Sequence, residues 1–170
     1  MSSITDSSAV NTSIKKLIIE CHTMTIATSG ENTAYTAWAA PVYYANVDKC
    51  FYFFSNPESR HINEALSSGQ AACAIHAEQS TWEALCGLQM SGKILEVKGA
   101  SEASAAIRMY VLKFPLVKSF FSSVKNLNLN SFLNKFHAKL YCFAPELIYY
   151  MDNSITFGHR KEIRKDELFI

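Results

Sequence analysis

The sequence lacks any Cys-x-x-Cys pair, so neither a zinc ribbon nor a thioredoxin-type site is indicated. Its five cysteines (Cys21, Cys50, Cys73, Cys86 and Cys142) are odd in number, widely spaced and set among apolar neighbours. Buried thiols in a reducing cytoplasm are the expectation. No apolar run reaches the roughly 20 residues that span a bilayer. The segment Met1–Thr12 is polar, with neither the basic start nor the apolar centre of a secretion signal. The run Lys165-Asp166-Glu167-Leu168 is followed by Phe169 and Ile170, so it is not a terminal retention tetrapeptide. There is no Gly-x-Gly-x-x-Gly run, no internal repeat and no low-complexity stretch. An excess of one charge is also missing: 16 Lys and Arg face 15 Asp and Glu. Composition therefore gives no case for nucleic acid or an anionic membrane as partner.

Apolar residues make up 49% of the 170, and aromatics 12%, enough for one packed core. The expected organisation is a flexible tail over 1–12 and a single domain over 13–170, with a helical insertion around 101–137. Charge is uneven along the chain. Residues 1–85 carry 4 basic and 8 acidic groups; residues 86–170 carry 12 and 7. Between Ala103 and Pro145 there are six Lys or Arg and no acid. Phe114, Phe120, Phe121, Phe132 and Phe136 lie in or beside this segment. Two readings stand: helices with aromatics inward and lysines in water, or a cationic lid that admits an anionic substrate.

The periodicity predicts a helix capped by Ser13, with Ile14, Leu17, Ile18 and Cys21 on one face. Alternation then predicts strands at 23–28, 35–44, 50–55, 71–77 and 87–97. Pro41 implies that the second strand lies at an edge or a bulge. Ser59 reads as the cap of a short helix closed by Gly69, and Ser101 opens a longer helix reaching Phe114, with Glu102 in its first turn. Three closing strands are expected at Lys139–Phe143, Leu147–Met151 and Ser154–Phe157. Seven or eight strands in hairpin order, with few helices, favour a mainly β (α+β) antiparallel barrel.

The segment Phe54-Ser55-Asn56-Pro57-Glu58-Ser59-Arg60-His61 leads from a strand into a helix start bearing two hydroxyls, a guanidinium and an imidazole. Free N–H groups there, with Ser55, Ser59 and Arg60, suit a terminal phosphate. The plainer reading makes Ser59 a cap and Arg60 a solvated side chain. Trp38, Ala39 and Ala40 give a strand on which a flat heterocycle can lie against the backbone; ordinary core packing is the alternative. Gly87 and Gln89 follow Trp82, and a strand glycine marks either a close ligand or a bulge. His159 and Arg160 end the last turn region, where they would meet an anion or a solvated surface. Cys73-x-x-His76 falls on a strand, where residues three apart face opposite ways and make a poor metal pair.

Taken in order, the Trp38 strand, Phe53–His61, Gly87–Gly92 and Asp152–Arg160 resemble the pyridoxamine-phosphate-oxidase-like family of FMN-binding split β-barrels. Phe114-Pro115 after the long helix fits as well, and the small bacterial YhbP-like proteins are the nearest look. The resemblance spans about Ile14 to Arg160. It implies a homodimer with FMN between subunits, phosphate on Ser55, Ser59, Arg60 and His61, and the ring by Trp38, Ala39 and Ala40. Phe54 belongs to the same strand end, and Gly87 and Gln89 lie where the family contacts flavin or ribityl chain. His159 and Arg160 would reach the site from the partner subunit.

Oxidases of pyridoxamine phosphate carry a basic residue where His61 stands, and Arg-x-His where this chain has Gly158-His159-Arg160. The expected function is thus FMN binding, with flavin-dependent oxidoreduction of a small molecule other than pyridoxamine phosphate. A haem-binding or haem-degrading relative, and a non-enzymatic flavin carrier or sensor, are the alternatives. No catalytic acid or base stands out; His61, His76 and His159 are candidates on chemistry alone.

Overall fold

The computed structural model describes residues 3–30, 36–115 and 137–168. Among them, eight strands form one antiparallel sheet accompanied by three α-helices. Helix α1 spans Ser3–Glu20, β1 Thr23–Ser29, β2 Ala37–Tyr43, β3 Ala45–Val47 and β4 Cys50–Ser55. Helix α2 spans Arg60–Ser68, β5 Ala71–His76, β6 Cys86–Glu96, α3 Ala100–Lys113, β7 Lys139–Asp152 and β8 Arg160–Glu162. The strand order is β2-β1-β5-β6-β7-β4-β3, with β8 beside β7. No described helix is long and apolar enough to cross a membrane.

Helix α1 begins at Ser3 rather than at Ser13. The physical reason is Val10, which is buried and continues the stripe of Ile14, Leu17 and Ile18 by one turn. With Ile62 and Ala65 of α2, that stripe shares one core with Met24 and Ile26 of β1, Cys73 and Ile75 of β5, Leu88 and Met90 of β6, and Ile148 and Tyr150 of β7. The strand members are alternate residues of their strands, so one sheet face is core and the other is open except where α3 covers β4 and the start of β7. A second, smaller core lies under α3, where Ala103 and Ala106 meet Tyr52, Leu140 and Cys142. Phe54 packs edge-on to Tyr110 there, with ring centroids 5.0 Å apart.

The open face is built of small and polar side chains. One register row crosses Pro41, Thr25, Ala74, Gln89, Tyr149 and Glu162; the next crosses Ala39, Ala27, Ala72, Ser91 and Leu147. Pro41 sits on β2, at one end of the strand order, as its missing N–H requires.

Two of the three expected closing strands are one. Strand β7 runs unbroken through Pro145, because the β6–β7 register shifts between Ser91 and Gly92, directly opposite. Glycine at 92 lets the Ala144–Pro145 backbone come close, and a bulge is where a sheet tolerates proline. Residues 154–157 form no strand but a turn region. Asp152 accepts from the Ser154 N–H (2.9 Å) and hydroxyl (2.6 Å), and Asn153 Oδ1 accepts from the Gly158 N–H (3.0 Å). Those bonds bend the chain back before a ladder can form. The helices expected between 116 and 136, with Phe120, Phe121, Phe132 and Phe136, lie outside the described residues.

Lys113 departs from the picture of lysines in water. Its Nζ donates to the Ile18 carbonyl (2.9 Å) at the end of α1 and lies 3.6 Å from the centre of the Tyr44 ring. Burial pushes this amine down to about 8. It fastens α3 to α1 as a cation at a helix C-terminus.

Candidate functional site

Helix α2 starts without a side-chain cap. Ser59 has the extended backbone of a capping residue, but its hydroxyl turns back to donate to the Asn56 carbonyl (2.7 Å). The turn residues Asn56–Glu58 are themselves closed by the Glu58 N–H donating to Asn56 Oδ1 (2.8 Å). The backbone carbonyl of Ser59 accepts from Ile62 and Asn63. Among the described residues, nothing accepts from the N–H groups of Arg60 and His61, which face the open end of the helix.

Around that end stand Ser55 and His61. The Ser55 hydroxyl lies 3.1 Å from the Ser59 hydroxyl and 2.9 Å from His61 Nε2. His61 Nε2 is 3.5 Å from the Ser59 hydroxyl. His61 is buried, and burial holds its imidazole below the ordinary 6.5, with Glu64 opposing. The unfolded chain therefore binds this proton more tightly than the folded one. Stability is full above pH 6.5 and drains as pH falls from there through the folded value. In a His61→Gln variant the melting temperature should vary less with pH below 6.5 than in the parent protein. An unchanged pH profile would mean that the acid sensitivity lies elsewhere.

Arg60 is part-exposed but not free. Its Nε donates to Glu64 Oε1 (2.7 Å), and its Nη2 donates to the Thr36 carbonyl (2.9 Å) and hydroxyl (2.7 Å). The guanidinium carbon lies 4.8 Å from the centre of the Trp38 ring. Glu64 is buried and also accepts from the Thr28 hydroxyl (2.7 Å). This network locks one rotamer of Arg60 beside the helix start. Thr28, Thr36 and Glu64 were not singled out from sequence; the Arg60–Glu64 spacing of one helical turn was the available signal for the last.

Trp38 and Ala40 point to one side of β2 and Ala39 to the other, so the three share a backbone edge, not a side-chain surface. That edge is open: among the described strands β2 pairs only with β1. Its outward N–H and C=O groups can bond a planar heterocycle.

Gln89 and Arg160 form a second cluster, with Arg160 Nε donating to Gln89 Oε1 (3.1 Å) on the open sheet face. His159 is half-buried, and its backbone closes the turn onto Asp152 and Thr156. Gly87 has a structural reason for being glycine: a Cβ there would sit 2.7 Å from the Ile75 carbonyl oxygen. Phe54 packs against the core under α3, edge-on to Tyr110. Cys73 is buried and His76 exposed, on opposite faces of β5.

The two clusters are separate within one chain. Ser55 pairs with Lys139 and Gln89 with Tyr149, ten positions apart along β7. At about 3.3 Å per residue that is up to about 30 Å of strand.

The donors at the start of α2 fit a phosphate monoester: two open N–H groups, the Ser55 hydroxyl and an anchored guanidinium next to an open strand edge. Haem suits the same residues less well, because Nε2 of His61 is engaged by Ser55.

No protein-family model matches the chain. It is 25% identical over 145 residues to a UPF0306 protein of Klebsiella pneumoniae, covering 85% of this chain and 86% of that protein. Solved structures share its fold, among them the three that follow. A protein of Clostridium acetobutylicum related to general stress protein 26, of the pyridoxinephosphate oxidase family, superposes with a TM-score of 0.60 at 16% identity. That alignment covers 96% of this chain and 99% of the other. A haem-binding protein of Mycobacterium smegmatis gives 0.68 at 13% identity; the alignment covers 94% of this chain but only 59% of that longer one. An FAD-binding protein of Mesorhizobium loti gives 0.57 at 12%, covering 81% and 90%. The architecture is the antiparallel split barrel of the pyridoxamine-phosphate-oxidase type, as the sequence predicted.

Proposed function

We propose that this protein binds FMN and uses it in oxidoreduction of a small molecule, as a homodimer. The observation that carries the reading is the uncapped start of α2, ringed by Ser55, Ser59 and His61, with Arg60 held beside it. Backbone N–H groups of Arg60 and His61 and the Ser55 hydroxyl would take the phosphate oxygens, while the Ser59 hydroxyl keeps its proton on the Asn56 carbonyl. Glu64 and Thr36 keep Arg60 in place, so that little side-chain entropy is lost on binding. The open edge of β2 at Trp38–Ala40 would bond the ring's heteroatoms. Bound flavin supplies the redox chemistry.

The homodimer is part of the same proposal. Its supports are the small-residue sheet face and the separation of Gln89 and Arg160 from the phosphate donors. A second copy laid on that face would bring its own Gln89–Arg160 pair to the first copy's ring site. A cationic Arg160 near the ring would favour the reduced, anionic cofactor.

The deciding experiment is an absorption spectrum of purified protein before and after FMN, desalted, with size-exclusion chromatography alongside. Retained flavin bands on a dimer are expected. Protein that passes through desalting colourless would overturn the reading. A second reading, haem binding, is favoured by one observation: His76 is exposed and, among the described residues, only its Nδ1 is engaged, 3.4 Å from the Ala77 carbonyl. A Soret shift on haem titration, abolished by His76→Ala, would select it.

A further inference from the structure

We propose that Cys50 and Cys142 form a peroxide-reactive thiol pair, in which Cys50 is oxidised first and Cys142 resolves it to a disulfide. Both lie on the same face of adjacent strands: Tyr52 pairs with Cys142 across β4–β7, and Cys50 is two residues before Tyr52, on Tyr52's side of the strand. Both belong to the small core under α3. They differ in access, since Cys142 is buried and Cys50 half-exposed. Cys50 also lies one residue beyond the last β4–β7 pair, Phe51 with Phe143. It pairs with Val47 in the β3–β4 hairpin, and its carbonyl accepts from Asn46 Nδ2 (3.0 Å).

The electrostatics agree with the placement. Hydrogen bonding from Cys142 pushes the Cys50 thiol down to about 7, against burial and Glu102, while Cys142 is raised by the same contact. The contrast is Cys86, also half-exposed, whose thiol burial pushes up. A thiolate is the reactive form, so Cys50 is the nucleophile of the set.

The oxidant is a hydroperoxide. The Cys50 thiolate attacks its terminal oxygen, the O–O bond breaks, and the alkoxide or hydroxide leaves and takes up a proton. Cys50 is then a sulfenic acid. The Cys142 thiol loses its proton and attacks the Cys50 sulfur; the S–S bond forms, and the departing hydroxide takes that proton as water. Two thiols lose two electrons, and the peroxide gains them. Nothing in this sequence depends on a bound flavin.

The full-length protein is treated with limiting hydrogen peroxide, alkylated, digested and read by mass spectrometry. Expected are a Cys50–Cys142 linked peptide and intact mass lower by two hydrogens. In Cys142→Ser the oxidation should stop at a dimedone-trappable sulfenic acid on Cys50. Without peroxide, alkylation of native wild-type protein at pH 7 should label Cys50 about 10-fold or more faster than Cys86. Preferential oxidation at Cys21, Cys73 or Cys86, or Cys86 labelling as fast as Cys50, overturns the proposal. The alkylation comparison needs no variant and so stands even where Cys142→Ser fails to fold.

Discussion

Replacing Arg60 by alanine is expected to weaken FMN binding by about 1.5–3 kcal/mol, roughly 10- to 150-fold, the scale of a lost charge-assisted hydrogen bond to phosphate. A second effect accompanies it. Glu64 is 4% exposed and would lose the guanidinium that neutralises it. Breaking a buried pair costs about 3–5 kcal/mol. The Arg60 side chain is 35% exposed, so solvent screens the pair and about 1–2 kcal/mol is expected here. The two effects separate in a double-mutant cycle. In Arg60→Ala/Glu64→Gln the carboxylate charge is gone while the side-chain oxygen still accepts from Thr28, so stability should return and FMN affinity should not. Titration calorimetry and denaturant melts read the two axes. An Arg60→Ala protein with parental affinity would remove Arg60 from the site.

Gly92→Ala should be the most damaging single methyl in the sheet. The added carbon would overlap the Ala144 carbonyl oxygen and lie 2.8 Å from Pro145 Cα and 3.0 Å from the Ala144 carbonyl carbon. All three are backbone atoms, so no rotamer change relieves them. Strands β6 and β7 must separate at the bulge, where their ladder is longest. Overpacking costs about 1–3 kcal/mol when side chains can yield; with only backbone to move, the top of that range applies. The melting temperature should fall by about 6–12 °C. Ser91→Ala, one residue away on the open face, serves as the control and should melt within about a degree or two of the parent, as surface substitutions do. Equal melting of Gly92→Ala and the control would show that the bulge tolerates a wider opening.

Much of this was legible from residue pattern because it depends on short range. Met24-Thr25-Ile26 and Cys73-Ala74-Ile75 alternate cleanly, and their strands stand where the period puts them. Gly69 ends α2 with a positive φ of 68°, the ordinary use of glycine at that place. The hydroxyl and imidazole cluster was legible too, since Ser55, Ser59 and His61 lie within seven residues on one strand–turn–helix. What escaped was non-local. Pro145 reads as a strand end until Gly92, on another strand, is known to lie opposite it. Ile155 and Phe157 alternate like strand residues, yet both are exposed, because turn hydrogen bonds from Asp152 and Asn153 take the backbone first. The anchoring of Arg60 needed Thr36 brought up from outside its helix. Ser59 holds the sequence position of a cap but spends its hydroxyl on Asn56, and only the turn geometry decides between those uses.

The position of β7 in the chain has a consequence for synthesis. It borders β6 along most of its length, β4 over its first five residues and β8 near its end. Yet it is made long after β4: Phe51 waits for Phe143, and Tyr52 for Cys142. Until residue 152 has left the ribosome, β4 and β6 each present a bare, aromatic- and aliphatic-rich edge. A nascent chain arrested before β7 would hold two sticky half-sheets and no closed core, the kind of species that pairs with its neighbours. Chaperone demand should therefore peak late in translation and drop abruptly once a single strand, Lys139–Asp152, becomes available to both edges.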